Sequence, residues 1–264
     1  NDIEKKTPWT IVRTIALLNH IVKTQKIEII HSHHRMAALY ARILKILNPQ
    51  LGLIYTAHNV FFDKKILTRT VLSRSTIVAV GEGVKKNLIN VFGIDSDRII
   101  RIYNGINAKN KNEYFFSQKI TNWRQEGNLI IGIIGRLAVQ KGVDTFIHAF
   151  SLVRQKVSNV RGVIVGEGEE KNHLIDLIRK EKLESYLFMA GYQKEVDAWI
   201  RQMDLIVMPS RWEGFPLLPL EVLTEGKAII ASDIEGIREI ITNGETGILI
   251  PPDNIEKWVS TIMQ

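Results

Sequence analysis

Residues 129–150 read LIIGIIGRLAVQKGVDTFIHAF, and their pattern predicts a strand, a loop and a helix in immediate succession. The Ile-rich apolar run at residues 129–134 is typical of a strand that is buried on both faces of a parallel sheet. A loop with two glycines follows, and from residue 142 onward apolar side chains recur with the period of an α-helix. This unit predicts an α/β fold.

The same alternation of apolar strands and amphipathic helices runs through the rest of the chain. A polar, aperiodic segment at residues 108–127 separates two series of strands and helices, which predicts two α/β units joined at that segment. Strands are predicted at residues 27–33, 52–58, 75–80, 98–105, 129–135, 160–166, 186–191, 204–209, 227–232 and 246–252. Helices are predicted from a cap at Thr7 and Pro8, at 35–47, 82–93, 142–155, 170–181, 194–202 and 217–225, and after residue 252.

Composition limits the classes of protein to which the chain can belong. The 264 residues are 45% hydrophobic and 24% charged, which is ordinary for a globular protein, and no apolar run approaches the roughly 20 residues of a membrane span. The absence of cysteine excludes disulfides and cysteine-bound metals, and it fits a reducing compartment.

Positive charge is concentrated in the first half of the chain. Residues 1–130 carry 20 Lys/Arg and 9 Asp/Glu, a net charge of +11, whereas the remaining 15 Lys/Arg and 19 Asp/Glu give −4. The basic half suits phosphates or an anionic membrane surface, but scattered solubilising lysines explain it equally well. No aromatic residues interleave with the cations, so a nucleic-acid partner is not expected.

The loop GRLAVQKG at residues 135–142 has the outline of a phosphate-binding site. Its glycines allow the backbone to approach a ligand closely, and Arg136 and Lys141 supply cations next to the positive N-terminus of the following helix. An ordinary strand-to-helix turn with two solvated cations remains an alternative. The spacing fits neither a Walker loop nor the G-x-G-x-x-G dinucleotide fingerprint.

The stretch MPSRWEGFPLLPLE at residues 208–221 places two carboxylates, Glu213 and Glu221, eight residues apart across a Gly-Phe-Pro loop. Both glutamates could simply provide favourable charge near a helix N-terminus. They could also serve as the acid and base of a glycoside hydrolase, although that hypothesis leaves the phosphate-type loop unexplained.

Two further groups of residues raise the question of a metal site. His31, His33 and His34 are close in sequence, but a strand alternates its faces, so only His31 and His33 are expected to point the same way. The sequence Asp-Ser-Asp at residues 95–97 matches the D-x-D signature of metal-dependent glycosyltransferases. It follows a helix that ends at Gly93, where a turn favours Asp in any case, and we interpret it as structural.

Taken together, the motifs resemble the retaining family 4 glycosyltransferases, which have the GT-B architecture. The resemblance covers nearly the whole chain, and the order of the motifs makes it specific. The second half contributes GRLAVQKG (135–142), PSRWEGFPLLPLE (209–221), ASDIEGIREII (231–241) and NGETGILIPP (243–252). The first half contributes IIHSHH (29–34), YTAHN (55–59), VGEGVKKNLI (80–89) and IYNGIN (102–107).

The resemblance implies two Rossmann-like doubly wound domains that face a cleft. Residues 1–115 would form the acceptor-side domain and residues 116–264 the nucleotide-sugar-binding domain. Relative to the family pattern, the N-terminal strand or strands with their glycine-rich loop and the C-terminal helix are expected to be missing, so the first domain would be incomplete.

The resemblance also implies a role for each candidate residue. Arg136 and Lys141 match the cations that stabilise negative charge on the β-phosphate as the sugar leaves, in place of a metal ion. Glu221 matches the acceptor of ribose hydroxyls, and Glu213 the carboxylate facing the donor sugar. His58 matches an active-site histidine that contacts the sugar from the opposite domain.

Further donor-binding positions follow from the same resemblance. Base recognition through backbone groups is expected at Gly191 and Tyr192, and UDP is the favoured nucleotide. No cofactor and no metal ion are expected. The remaining residues expected to line the donor site are Gly135, Gly214, Phe215, Pro216 and Leu217.

Three hypotheses about function follow. The first is retaining transfer of a sugar from a nucleotide diphosphate to a glycan or lipid-linked glycan in bacterial polysaccharide assembly. The protein would then be cytoplasmic, with possible peripheral contact to an anionic membrane. The second is a nucleotide-binding module of the same fold without turnover. The third is an unrelated doubly wound enzyme such as an oxidoreductase, which the missing dinucleotide fingerprint disfavours.

Overall fold

The structure is a computed structural model that describes residues 7–107 and 117–264. The chain divides into two compact units, unit 1 at Asn1–Asn104 and unit 2 at Gly105–Gln264. Each unit is built around a parallel sheet with helices, which confirms the α/β class expected from the sequence. The candidate linker is described only from residue 117 onward.

Unit 1 contains a four-stranded parallel sheet whose strands pair in chain order, β1-β2-β3-β4. Its first helix begins as the sequence predicts, since the Thr7 hydroxyl accepts a hydrogen bond from the Thr10 amide and Pro8 occupies the first turn. Its elements are α1 (Pro8–Thr24), β1 (Ile29–Ser32), α2 (Arg35–Leu47), β2 (Gly52–Ala57), α3 (Lys65–Leu72), β3 (Thr76–Ala79), α4 (Glu82–Asn90) and β4 (Ile99–Arg101).

Unit 2 contains a six-stranded parallel sheet in the order β10-β9-β8-β5-β6-β7. Read from β7, its strands therefore lie in the order 3-2-1-4-5-6 of the Rossmann fold, with β5 as the first strand of the unit. Its elements are α5 (Gln118–Gln125), β5 (Leu129–Ile134), α6 (Val143–Lys156), β6 (Val160–Val165), α7 (Lys171–Lys180), β7 (Leu187–Gly191), α8 (Val196–Arg201), β8 (Leu205–Met208), α9 (Leu218–Thr224), β9 (Ala228–Ser232), α10 (Glu235–Arg238), β10 (Ile248–Ile250) and α11 (Ile255–Ile262).

The sheet of unit 2 is buried on both faces, which explains its nearly continuous apolar strands. Ile131 and Ile133 of β5 face a core that includes Phe146 and Phe150 of α6. Ile130 and Ile134 alternate with them and face a second core with Trp199 and Val222. Each such aliphatic side chain stabilises the fold by about 1.5–3 kcal/mol through burial.

The strand order creates a topological switch point between β5 and β8. From β5 the chain crosses to β6 on one side, whereas β8 pairs with the opposite edge of β5. In sheets of this kind a ligand crevice lies outside the carboxyl ends of the strands at the switch point. The loops that follow β5 and β8 are the two motifs singled out in the sequence, at residues 135–142 and 209–217.

Three helices were not predicted. α3 and α10 are short, and helices of that length depend more on tertiary packing than on intrinsic propensity. α5 lies within the segment that we expected to be an irregular linker. It buries Ile120 and Trp123 against the second core of unit 2, so residues 118–125 belong to that unit.

No helix in the described part of the chain combines the length and the hydropathy that a membrane span needs.

Candidate active site

The loop after β5 is held in close contact with the loop after β8. Gly135 is anchored by its amide, which donates to the carbonyl of Val165 at 3.0 Å. Gly142 adopts a left-handed conformation with φ +63°, and a Cβ atom there would lie only 2.1 Å from the carbonyl oxygen of Pro209. Glycine is therefore required at position 142 for both the conformation and the approach. Gly135, Lys141 and Ser210 line a small pocket between the two loops.

The structure brings two of the predicted site residues, Lys141 and Glu213, into direct contact. The Lys141 ammonium lies 2.5 Å from Oε1 of Glu213, and the two side chains are 26% and 7% exposed. Gln140 donates to Oε2 of the same carboxylate at 3.2 Å and to the carbonyl of Trp212 at 2.8 Å. Both carboxylate oxygens of Glu213 are therefore engaged by the loop that follows β5.

Arg136 has a different environment from Lys141. Its side chain is 71% exposed, and its guanidinium contacts Glu169 at 3.1 Å. An exposed ion pair of this kind contributes little to stability, about 0–1 kcal/mol, so its rearrangement costs little. Arg136 can therefore turn toward an anion at the rim, whereas Lys141 is fixed further inside.

The loop after β8 packs tightly up to the start of α9. Gly214, Phe215 and Pro216 are buried, whereas Leu217 is exposed. Glu221 lies in the first turn of α9 and is half-buried, with its amide donating to the carbonyl of Leu217 at 3.0 Å. The buried Gly-Phe-Pro segment thus separates Glu221 from Glu213 and places them at opposite ends of a well-packed stretch.

The loops after β6 and β7 and the start of α10, which follows β9, adjoin the same edge of the sheet. A Cβ atom on Gly166 would lie 1.8 Å from the Gly135 carbonyl oxygen, and one on Gly236 would lie 2.3 Å from that of Gly214. The Gly166 amide donates to the carbonyl of Gly191 at 2.8 Å. The backbone at Gly191, with φ +69°, and the exposed side chain of Tyr192 therefore belong to this group of loops.

His58 lies in unit 1, directly after β2. Its Nε2 atom is 2.9 Å from Nδ1 of His33, and the rings of His31 and His33 have centroids 4.2 Å apart. The expectation that His31 and His33 share a face is thus confirmed, whereas His34 caps α2 by accepting from the Met36 amide. Desolvation, followed by the charges of His33 and His31, lowers the pKa of His58, which favours a neutral ring.

Arg211 is a residue of this region that the sequence analysis missed. Its guanidinium bonds both oxygens of Asp144, at 3.1 and 2.8 Å, as well as Asp253 and the Val139 carbonyl. Burial opposes ionisation of Asp144, but the hydrogen bond and charge of Arg211 outweigh it and lower the pKa of Asp144. Arg211 thus ties together the loops after β5, β8 and β10.

Gln140 was missed as well, although it contacts Glu213 directly. The contacts of Gln140 and Arg211 cannot be read from the sequence, because their partners lie between 42 and 73 residues away along the chain. Only the spacing of Arg211 two residues before Glu213 could have drawn attention to it.

In residues 7–107 and 117–264, no group of three or more His, Asp or Glu side chains is placed to hold a metal ion. The Asp-Ser-Asp sequence enters a single 3-10 turn at Ser96–Arg98, where Arg98 donates to the Ser75 carbonyl at 2.8 Å. This agrees with a structural role for the turn.

The sheet order of unit 2 and the loops gathered at its switch point define a doubly wound α/β protein with a ligand crevice at that edge. Residues 115–264 match the family model Glycosyl transferases group 1, and residues 3–110 match Glycosyltransferase Family 4. Since the first match covers more than half of the chain, the chain belongs to the glycosyl transferases group 1 family.

Curated relatives include several glycosyltransferases. The chain is 29% identical over 136 residues to the lipopolysaccharide core biosynthesis mannosyltransferase LpsB of Rhizobium meliloti, covering 49% of this chain and 39% of the relative. It is 26% identical over 222 residues to a poly(ribitol-phosphate) alpha-N-acetylglucosaminyltransferase of Staphylococcus aureus. This match covers 81% of this chain and 43% of the relative. Both matches span less than half of the relative's length.

The fold matches that of solved GT-B glycosyltransferases. HepE from Anabaena, in complex with UDP-glucose, superposes with a TM-score of 0.82 at 21% identity, covering 94% of this chain and 71% of HepE. TarM from S. aureus, solved as a point mutant in complex with UDP and other ligands, gives a TM-score of 0.76 at 21% identity. The match covers 95% of this chain and 51% of TarM.

Proposed function

We propose that the chain is part of a retaining glycosyltransferase that moves a sugar from a nucleotide-diphosphate donor to a glycan or lipid-linked glycan. The observation that carries the proposal is the paired placement of Lys141 and Glu213 at the switch point of the unit 2 sheet. There a cation can reach a diphosphate while the adjacent carboxylate reaches the sugar bonded to it. Family membership and the complexes of HepE with UDP-glucose support this assignment.

The reaction breaks the bond between the anomeric carbon and the diphosphate oxygen, and it forms a new bond to an acceptor hydroxyl. Negative charge grows on the β-phosphate as this happens, so fixed cations at that position lower the barrier. We assign this role to Lys141 from within the site and to Arg136 from its rim. With both cations in place, the reaction would proceed without a metal ion.

The two glutamates would hold the two ends of the donor. Glu213 is fixed by Gln140 and Lys141, which suits a carboxylate that positions sugar hydroxyls. Glu221 stands beyond the buried Gly-Phe-Pro segment, where it would accept hydrogen bonds from the ribose. We assign the base to the backbone near Gly191 and Tyr192, with uracil as the base because HepE and TarM bind UDP.

We propose that His58, whose neutral ring a lowered pKa favours, hydrogen-bonds to the donor sugar. We propose an acceptor of bacterial polysaccharide assembly, because relatives include a galactosyltransferase of Escherichia coli that acts on a diphosphoundecaprenol-linked sugar. That relative is 24% identical over 96% of this chain. A cytoplasmic protein in peripheral contact with an anionic membrane would meet both substrates.

Calorimetric titration with UDP, GDP and ADP in the presence of EDTA tests the donor site. We expect selective binding of UDP, weakened about 10- to 100-fold by Arg136→Ala and by Glu221→Ala, since each removes a charged hydrogen-bonding group. Lys180→Ala, which removes an exposed cation from α7, is the matched control and should bind UDP as the unmodified chain does.

Transfer itself requires a second measurement, release of UDP from UDP-sugars with and without a lipid-linked acceptor. If a folded chain binds none of the three nucleotides, or binds them only when magnesium is supplied, the proposal is wrong. If UDP binds but no donor and acceptor pair gives turnover, the chain is a nucleotide-binding module.

A further inference from the structure

The segment from Phe62 to Arg69 in unit 1 exposes apolar and basic side chains next to one another. Ile66 is 83% exposed, Phe62 73% and Leu67 49%, which places the first two among the most exposed large apolar residues of the described chain. Lys64, Lys65 and Arg69 are exposed within the same eight positions. We call these six residues the α3 surface: Phe62, Lys64, Lys65, Ile66, Leu67 and Arg69.

Helix geometry explains why this apolar surface faces outward. α3 packs on its unit through Thr68, Val71 and Leu72, which are buried. At about 100° per residue, Ile66 lies about 200° around the helix from Thr68 and cannot reach the core. The exposure of Ile66 therefore follows from its position on the helix. It does not result from incomplete packing of the inner face of α3.

The three cations of the α3 surface outnumber the one acid of the segment, Asp63, with which Lys64 interacts by charge. The one acid in the segment, Asp63, is engaged by Arg35 at 2.8 Å, and this hydrogen bond is the main cause that lowers the pKa of Asp63. Lys64, Lys65 and Arg69 form no ion pair with a residue of the described chain. The segment therefore offers cations beside an apolar surface.

We propose that the α3 surface docks onto the surface of an anionic phospholipid bilayer. Phe62 and Ile66 would enter the boundary between headgroups and acyl chains, while the three cations contact lipid phosphates. This proposal names the surface that makes the membrane contact included in the proposed function. It rests on that membrane contact alone and not on the donor site or the transfer reaction.

Two other partners fit the α3 surface less well. A second copy of the chain, packed by two-fold symmetry through the same surface, would set these cations against one another. A nucleic acid would use the cations, but it prefers aromatic platforms for its bases, and two of the three apolar side chains are aliphatic. An anionic lipid surface satisfies both the charge and the apolar character.

Sedimentation with vesicles tests the proposal, using phosphatidylglycerol mixed with phosphatidylcholine and, in parallel, phosphatidylcholine alone. We expect binding to the anionic vesicles only. Lys65→Gln/Arg69→Gln should lower the partition coefficient about 30-fold, because each cation near an anionic surface contributes about 1 kcal/mol. Phe62→Ser/Ile66→Ser should lower it by at least about tenfold.

Matched controls separate local from general effects. Lys156→Gln/Lys180→Gln removes the same amount of charge from exposed positions in unit 2 and should change binding by less than about threefold. Trp9→Ser/Val12→Ser removes apolar side chains that are exposed elsewhere, on α1, and should leave vesicle binding intact.

Several outcomes would overturn the proposal. These are equal binding to neutral vesicles, equal losses in the α3 and unit 2 charge variants, or a loss confined to Trp9→Ser/Val12→Ser. Conversion of a dimer to a monomer by Phe62→Ser/Ile66→Ser would assign the surface to a second copy. UDP titration of the same variants keeps this test apart from the donor site, because they should bind UDP unchanged.

Discussion

Lys141 interacts with two different anions in the proposed function. It forms an ion pair with Glu213, and it is also the cation that we propose for the donor diphosphate. A charge shared between two anions is less available to either one, because each must compete with the other for the same ammonium. The strength of the Lys141–Glu213 pair should therefore influence how tightly UDP binds.

Glu213→Gln tests this competition. The amide keeps the shape of the side chain but loses its charge, so Lys141 becomes fully available to a phosphate. We expect UDP to bind equally well or several-fold more tightly, while sugar transfer falls by about 100-fold or more because the contact to the sugar is altered. Calorimetry and the rate of UDP release measure the two effects separately.

The control is Asp176→Asn, which breaks an exposed ion pair with Arg179 on α7 and should alter neither quantity. Loss of UDP binding in a folded Glu213→Gln variant would contradict the competition and would mean that Glu213 chiefly holds the loop in place.

Among the elements, the loops at the carboxyl edge of the unit 2 sheet depend on one another. Glycines at 142, 166 and 236 let neighbouring loops touch through their backbones, and Arg211 adds charged hydrogen bonds among three of them. The loops therefore form a single layer, in which a change in one is transmitted to Gln140 and Glu213.

Arg211→Gln should loosen this layer. Charged hydrogen bonds contribute about 1.5–3 kcal/mol each when well formed, and partial exposure reduces that figure here, so we expect the free energy of unfolding to fall by about 1–3 kcal/mol. UDP affinity should fall as well, because Gln140 and Glu213 lose their support. Urea unfolding and calorimetry provide the measurements.

A double-mutant cycle with Asp144→Asn isolates the pair. Because the pKa of Asp144 in the fold lies below its usual 3.8, the pair stabilises the fold above that pH, and its contribution is lost as the pH falls through the lowered value. The difference between the unmodified chain and Arg211→Gln should thus shrink below about pH 4. A pH-independent difference, or additive single variants, would show that Arg211 acts through other partners.

For the whole molecule, the division into two units makes a further prediction. All the residues that we assign to nucleotide binding lie in unit 2, Gly105–Gln264, whereas His58 lies in unit 1. Unit 2 has its own two-sided core, against which α5 buries Ile120 and Trp123. Residues 105–264 expressed alone should therefore fold, bind UDP with nearly unchanged affinity and fail to transfer sugar.

Circular dichroism with thermal unfolding and calorimetry checks this prediction. The comparison is the 264-residue chain, for which the same titration provides the reference affinity. A folded unit 2 that binds UDP more than about tenfold more weakly would show that unit 1 supplies part of the nucleotide site.

Much of the fold could be predicted from the sequence because it depends on local patterns. Apolar runs such as residues 130–134 favour burial on both faces, so the ten strands of the described chain were all predicted within a few residues, and the parallel sheets followed from the alternation with helices. α3, α5 and α10 escaped prediction because they are short and are stabilised mainly by the surfaces on which they pack.

The features of the candidate site also fall into those that the sequence predicts and those that only the tertiary structure shows. The sequence alone determined the α/β class and the motifs at residues 135–142 and 209–221, because periodicity, glycines and charges are local properties. Only the tertiary structure decided that Lys141 holds Glu213 while Arg136 stays at the rim, and that Gln140 and Arg211 support the site. Those contacts join residues up to 73 positions apart, and strand order, which no local pattern encodes, brings them together.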